Sequence, residues 1–145
     1  MNRSSRSAAY TAIVHDVAKI YQWLGVHSAP RPCLRCGRCC DLAGYGHRLF
    51  VSSPEWIYHR MMNGPAPPGA KAGTCPFNRS GLCTIYEHRF AGCRIFHCMQ
   101  DQDSQSRLSE STLAMLKTIC QAHQVEYRYV DLFDALSGRL SDICP

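Results

Sequence analysis

Residues 33–40 of the chain read CLRCGRCC, which places four cysteines within eight positions. A second group of four cysteines lies within residues 75–98, after a stretch of 34 residues without any cysteine. Clustered thiols have three common explanations, namely a disulfide framework, a redox-active thiol centre or a metal site. The choice among them decides how this chain folds and what it does.

The spacing of the cysteines favours a metal site. Cys33, Cys36 and Cys39 are each separated by two residues, a spacing found in zinc ribbons and in the opening run of bacterial cubane ferredoxins. Gly37 fits the tight turn that such a chelating loop needs. The eight predicted metal ligands are Cys33, Cys36, Cys39, Cys40, Cys75, Cys83, Cys93 and Cys98.

Cys39 and Cys40 are adjacent, so their side chains should diverge. We expect them to serve different ions, or one of them to be a reactive thiol. A metal-free thiol–disulfide oxidoreductase that uses this pair is therefore an alternative function, and the even number of cysteines keeps disulfides open as well. The remaining two cysteines, Cys120 and Cys144, are expected to be small buried side chains.

Histidines accompany the second cysteine group. His88 and His97 could each replace a sulfur as a ligand, although a surface or hydrogen-bonded histidine is the commoner case. Glu87 and Arg89 flank His88, where they could form an ion pair or support the ligands. The sequence offers no Ser–His–Asp set, paired carboxylates or phosphate-binding loop, so no catalytic constellation is identified and the enzyme question stays open.

The composition is that of a globular protein, with 46% hydrophobic and 19% charged residues among 145. This length fits one domain, residues 1–145, with one modest hydrophobic core. No apolar run approaches the ~20 residues of a membrane span. His15, Asp16 and Lys19 interrupt any signal-peptide core near the N-terminus. We therefore expect a cytoplasmic protein without a membrane partner, whose thiols stay reduced.

The formal net charge of +5 raises the question of a nucleic-acid partner. Cysteines that bind metal are deprotonated, and eight thiolates on two divalent ions would lower the net charge to about +1. The basic residues then offset the anionic metal centre. Nucleic acid is not favoured as a partner, a metal ion is predicted, and no protein partner can be named.

Apolar periodicity predicts helices on both sides of the cysteine region at residues 33–98. Intervals of three and four in residues 7–24 predict an N-terminal helix within residues 1–25, with Gly25 as a C-cap. The same pattern predicts C-terminal helices within residues 109–138, with Leu113, Leu116, Cys120 and His123 on one face of the first and residues 130–137 in the second.

Local signals predict three elements within the cysteine region. A short strand is expected at residues 48–51. A helix should follow with Ser53 as the N-cap, Pro54 at its first position and Gly64 as its end. Residues 78–81 should form a turn between two cysteines.

Four motifs, CLRCGRCC, CPF, GLCTIYEHR and CRIFHC, together resemble the YkgJ-type cysteine-cluster family, which is described as zinc- or iron-chelating. The resemblance covers residues 33–98 and implies metal chelation by the eight cysteines named above, with Cys98 the least typical of them. It also implies accompanying roles for Tyr86, Glu87, Arg89 and Arg94. One position departs from the family pattern, because Phe90 replaces a proline that would preset the turn into Cys93. We expect this phenylalanine to pack into the core.

The sequence thus predicts a mainly α, small, irregular, metal-centred domain, with amphipathic helices around two cysteine-rich loop regions and at most short strands. The predicted cofactor is zinc or iron, the iron either as ions or as a [4Fe–4S] cluster, because thiolates suit both metals. The expected role is structural, accessory or in electron transfer. A zinc-stabilised interaction module remains a further alternative.

Overall fold

The computed structural model describes residues 2–28, 38–44, 46, 48–68, 73–96 and 101–143. Within these residues the chain is mainly helical with short strands, so the predicted fold class is confirmed at this level. The elements in chain order are α1 (Arg3–His27), β1 (Phe50–Ser52), α2 (Ser53–Asn63), β2 (Asn78–Arg79), β3 (Leu82–Cys83), α3 (Ala91–Ile95), α4 (Gln102–His123), β4 (Tyr129–Asp131) and α5 (Leu132–Asp134). Three short 3₁₀ turns lie at Arg38–Cys40, Tyr86–His88 and Ser141–Ile143, and a π-helical turn follows α5 at Ala135–Arg139.

Helix α1 confirms the N-terminal prediction and extends beyond it at both ends. The Asn2 side chain accepts a hydrogen bond of 2.8 Å from the Ser5 backbone N–H, which satisfies one of the free donors at the start of the helix. Gly25 lies inside the helix and is not its C-cap, because the helix continues to His27. The apolar stripe faces the interior through Tyr10, Ile13, Val17, Ile20, Tyr21 and Leu24.

Helix α2 begins one residue earlier than predicted. Its N-cap is Ser52 and not Ser53, and Pro54 lies within its first turn. Glu55 accepts hydrogen bonds from the Ser52 N–H at 3.1 Å and from the Ser52 hydroxyl at 2.8 Å, and the first of these is a capping-box contact. Ser53 is the first residue of the helix. Its backbone N–H and its hydroxyl donate to the Arg128 carbonyl, and the hydroxyl also accepts from the Arg128 N–H. The helix ends before Gly64, as predicted.

Two small antiparallel pairings complete the described backbone. Strand β1 pairs with β4 so that Phe50 lies opposite Asp131 and Ser52 opposite Tyr129. Residues 130–131 are therefore strand, and the helix predicted at residues 130–137 starts at Leu132. Strands β2 and β3 form a hairpin around the predicted turn, where Ser80 and Gly81 both have positive φ.

Helix α4 starts seven residues before the predicted position. Asp101 caps it by accepting a 2.9 Å hydrogen bond from the Ser104 N–H. The first two turns are almost wholly polar, so periodicity alone did not detect them. Cys120 is buried, as predicted for a small core side chain. His123 lies at the edge of the predicted face, where its Nε2 bonds to Asp16 of α1 at 2.8 Å.

The described residues bury two apolar clusters instead of the single core that was predicted. We call the first the helical core, and its buried members are Tyr10, Ile13, Val17, Ile20, Tyr21, Leu24, Ile57, Tyr58, Ala91, Ile95, Leu108, Leu116 and Ile119. We call the second the cysteine core, and its buried members are Leu42, Leu49, Val51, Trp56, Cys75, Phe77, Ile85, Phe90, Leu132, Ala135 and Leu140. Helix α2 contributes to both clusters. No helix in the described ranges is long and apolar enough to cross a bilayer.

Candidate metal centre

Five of the eight predicted ligands lie within the described residues. Cys75 is buried in the cysteine core, and three more pack against that core while remaining half-buried: Cys40, Cys83 and Cys93. Cys39 is exposed, so the adjacent pair diverges as expected. The other three predicted ligands, Cys33, Cys36 and Cys98, lie outside the described residues, as do His97 and Cys144.

The two cysteine groups meet through backbone hydrogen bonds. The Cys75 N–H donates to the Cys40 carbonyl at 2.9 Å, and the Ala43 N–H donates to the Gly73 carbonyl at 2.9 Å. Between these bonds Asp41 and Thr74 form an isolated antiparallel bridge. The side chains of Cys40 and Cys75 also hydrogen-bond to each other. One cysteine of the first group therefore lies against the first cysteine of the second.

The hairpin β2–β3 folds back over Cys75. The Phe77 N–H donates to the Cys75 sulfur, and the Asn78 N–H donates to the Cys75 carbonyl at 3.1 Å. Both the N–H and the hydroxyl of Thr84 donate to the Phe77 carbonyl at 2.8 Å. These bonds place Cys83, the last residue of β3, beside the same core. Backbone N–H groups aimed at sulfur are the usual support of a thiolate ligand.

Cys93 is carried by the five-residue helix α3, which the buried Glu55 holds in place. One carboxylate oxygen of Glu55 accepts from the Ala91 N–H at 2.7 Å and from the Tyr21 hydroxyl at 3.2 Å. Burial raises the pKa of Glu55, and these hydrogen bonds oppose that rise. Glu55 thus links α1 and α2 to the helix that presents Cys93. Sequence reasoning missed this role, although Ser52 and Glu55 already had capping-box spacing.

Phe90 packs where the resemblance led us to expect it. Its side chain is only 1% exposed, within the cysteine core. Its backbone φ of −64° is also the value that a proline would impose. The backbone at Phe90 therefore has a φ that a proline would also adopt, while the side chain adds an aromatic ring to the core.

The surroundings of Cys75 and Cys93 favour the neutral thiol in both residues by raising its pKa. Burial, together with the charges that Cys83 and Cys40 would carry, raises the pKa of Cys93 to about 12. The hydrogen bond from Cys40 and burial also raise the pKa of Cys75. The Arg89 guanidinium lowers the pKa of Cys93 but does not outweigh these effects. A bound metal ion would replace the protons and supply the missing positive charge.

Two arginines of the second cysteine group, Arg89 and Arg94, stabilise the loop that precedes Cys93. For Arg89 the sequence left open an ion pair with Glu87 or support of the ligands, and in the structure its guanidinium lies over the Tyr86 ring at 4.1 Å and donates to the Tyr86 carbonyl at 2.8 Å. Arg94 donates to the Arg89 carbonyl at 2.9 Å and to the Glu87 carbonyl at 3.1 Å. Its guanidinium lies over the Tyr21 ring at 4.2 Å. These contacts tie the loop before Cys93 to helix α1.

Of the two histidines proposed as alternative ligands, His88 is described. Its Nδ1 forms a 2.9 Å hydrogen bond with the Tyr58 hydroxyl, which matches the hydrogen-bonded role given above as the commoner one. His15 is largely exposed on α1.

Sequence reasoning overlooked His59. The ring of this histidine is 1% exposed and contacts three aromatic rings, those of Trp56, Phe77 and Phe90. All three rings belong to the cysteine core. The available signal was its position three residues after Trp56, which puts both side chains on one face of α2.

The donor set suits a thiophilic ion, because soft thiolate ligands select zinc and iron–sulfur clusters. Cys75 is buried in the cysteine core, and the half-buried Cys40, Cys83 and Cys93 pack against that core. None of the six described cysteines is in a disulfide. No three described His, Cys, Asp or Glu side chains are arranged to hold an ion. A complete site would therefore need ligands from the cysteines outside the described ranges.

Comparisons with known proteins add no identification. No family model, no curated protein and no solved structure matches this chain.

Proposed function

We propose that this protein binds zinc or iron through thiolates of its two cysteine groups, and that the bound metal holds the cysteine core together. The observation that carries this proposal is the packing of Cys40 against Cys75 beside Cys83 and Cys93. Cys40 comes from a segment more than 30 residues away from the others. Burial alone gives no reason to gather thiols from two such distant segments.

The surroundings of the sulfurs support a structural role. Cys75 is buried, and the nearby thiols pack among aromatic and aliphatic side chains. Closed sites of this kind contribute folding free energy and leave no open position for a substrate. The resemblance to the zinc- or iron-chelating family supports the same assignment. An iron–sulfur cluster with a role in electron transfer is the other form of this proposal.

Metal content and absorption of anaerobically purified protein test the proposal. We expect about one or two zinc ions per chain in a colourless protein, or iron with absorbance near ~400 nm in a brown one. A folded protein that contains neither metal after expression in zinc- and iron-supplemented medium would refute it.

Two buried cysteines provide a matched pair of variants. Cys75 lies in the cysteine core, whereas Cys120 lies on α4. Cys75→Ser should lose most of the bound metal, because it removes a ligand. Cys120→Ser should keep the full metal content and lose only modest stability. Equal metal loss in both variants would show that the cysteines are grouped wrongly.

A thiol oxidoreductase remains a second candidate because Cys39 is exposed beside the half-buried Cys40. Exposure allows the collision with a substrate that disulfide exchange needs. The raised pKa values of Cys75 and Cys93 oppose such chemistry deeper in the cluster. Rapid alkylation of Cys39 or Cys40 in folded, metal-free protein would favour this candidate over metal binding.

A further inference from the structure

Cys40 and Cys75 lie opposite each other on two antiparallel segments. The isolated bridge pairs Asp41 with Thr74, so Cys40 and Cys75, one residue further along, face each other across the same ladder. The Cys75 N–H donates to the Cys40 carbonyl at 2.9 Å, and the two side chains also hydrogen-bond to each other. Opposite residues of an antiparallel ladder direct their side chains to the same face. The fold therefore holds in contact two thiols that are distant along the chain.

This arrangement matches the geometry of a disulfide. Two opposite residues that share a ladder hydrogen bond have Cα atoms about 5.5 Å apart, within the range of roughly 4.4–6.8 Å that disulfides span. The adjacent pair Cys39 and Cys40 does not match it, because neighbouring Cα atoms are only about 3.8 Å apart. Their side chains also diverge, since Cys39 is exposed while Cys40 packs against the cysteine core. Cys75 is therefore the better placed of the two to pair with Cys40.

The two facing thiols differ in their access to solvent. Cys75 is 7% exposed, whereas Cys40 is half-buried. A small oxidant in solution therefore reaches the Cys40 sulfur first, because oxidation of cysteine follows its exposure. The buried Cys75 thiol is then in position to react with the oxidised Cys40 sulfur. This order assigns Cys40 as the thiol that is attacked by oxidant and Cys75 as the thiol that resolves the product.

We propose that a peroxide oxidises Cys40 and Cys75 to a reversible disulfide, which makes the cysteine core a redox-sensitive site. In the first step the Cys40 sulfur attacks a peroxide oxygen and the O–O bond breaks. The Cys40 thiol proton leaves with the departing oxygen, and Cys40 becomes a sulfenic acid. In the second step the Cys75 sulfur attacks the Cys40 sulfur and the S–O bond breaks. The hydroxyl group leaves with the Cys75 proton as water. Two thiols lose two electrons in all, and one peroxide is reduced.

The reverse reaction needs a small thiol, which attacks the more accessible Cys40 sulfur, releases Cys75 and is displaced from Cys40 by a second thiol. No bound metal is needed for either direction, because both cysteines and their contacts lie within the described residues. Both sulfurs also belong to the predicted ligand set. Oxidation would therefore remove two thiols from that set, and reduction would return them.

Disulfide mapping of the full-length chain tests the proposal. The protein as purified is treated with hydrogen peroxide, its remaining thiols are blocked with N-ethylmaleimide, and its tryptic fragments are analysed by mass spectrometry without reduction. We expect the fragment of residues 39–48 to be joined to the fragment of residues 72–79. Treatment with glutathione should remove this link. Peroxide treatment in guanidinium chloride should instead join cysteines within residues 33–40, because short loops close most readily in an unfolded chain.

Three variants assign the link to its sulfurs. Cleavage after Arg38 leaves Cys39 and Cys40 on one fragment, so Cys39→Ser is needed to separate them. This variant should keep the link. Cys120→Ser, at the buried cysteine of α4, is the matched control and should keep it as well. Cys75→Ser should lose the link and accumulate a sulfenic acid at Cys40, which dimedone traps.

Each contrary result overturns the proposal. Loss of the link in Cys39→Ser would assign the disulfide to Cys39. The absence of a link in folded wild-type protein, or a link from Cys40 to another cysteine, would refute the pairing. A link that glutathione does not reduce would refute its reversibility. The map of the wild-type chain decides the pairing of the two fragments even if a variant fails to fold, and fragmentation of the joined peptides then distinguishes Cys39 from Cys40.

Discussion

The helical core takes its buried side chains from α1, α2, α3 and α4, whereas most of the cysteine core comes from loops, turns and strands of two or three residues. Helices satisfy their backbone hydrogen bonds internally, so side-chain burial is enough to hold them together. The segments at residues 38–44 and 73–90 contain only short 3₁₀ turns and two-residue strands in the described part of the chain. They need another source of order, and the thiols that they bring together would supply it by binding a metal.

Metal removal should produce the largest difference between the two cores. A strong chelator should abolish amide-exchange protection at Thr84 and across the rest of residues 73–90, because ligation contributes of order 10 kcal/mol to small metal-centred folds. Protection in α1 and α4 should persist. Hydrogen exchange by mass spectrometry, with and without chelator, measures both. Equal protection in the two conditions would mean that the cysteine core folds without metal.

A matched pair of leucines sharpens the comparison. Leu116 in the helical core and Leu132 in the cysteine core are both fully buried. Replacement of either with Ala should cost about 2–5 kcal/mol in metal-loaded protein.

After chelation the two leucine variants should differ. The cost of Leu116→Ala should persist, while that of Leu132→Ala should largely vanish because its surroundings are already unfolded. Denaturant unfolding of both variants in both states measures this, and equal costs throughout would indicate a single cooperative core.

The pH dependence of stability should carry a signature of His59. Its pKa is lowered to about 4 in the folded chain from the ordinary 6.5. Between these values the unfolded chain binds a proton that the folded chain does not, so stability rises with pH in this window and is lost as pH falls. The full effect is about 3 kcal/mol. In His59→Phe this contribution should disappear, which unfolding curves from pH 7 to pH 4 would detect as a shallower slope than in the wild type.

The smallest effect is expected at a helix end remote from the sulfurs. Asp101→Ala removes the side chain that caps α4, which should lower the stability of the chain only slightly because Asp101 is exposed. Metal content should not change. Thermal unfolding and elemental analysis of the same sample check both statements, and loss of metal would mean that α4 is coupled to the cysteine core more closely than its contacts indicate.

Local signals in the sequence predicted much of the fold. Periodicity predicted α1, Gly64 predicted the end of α2, and the turn at residues 78–81 is present. The start of α4 was missed because its polar first turns lack periodicity. The pairing of β1 with β4 was missed because it joins segments about 80 residues apart. Strand pairing of that kind depends on tertiary packing and leaves no local pattern.

The sequence by itself determined that the chain is mainly helical, that its thiols fall into two groups and that Phe90 is apolar enough to enter a core. These properties depend on residue type and on spacing along the chain. Only the tertiary structure decided that Cys40 lies against Cys75, that Glu55 holds the helix carrying Cys93, and that the His59 ring is buried among three aromatic rings. Each of these depends on distances between segments remote in sequence, which are fixed only when the two cores pack on opposite faces of α2.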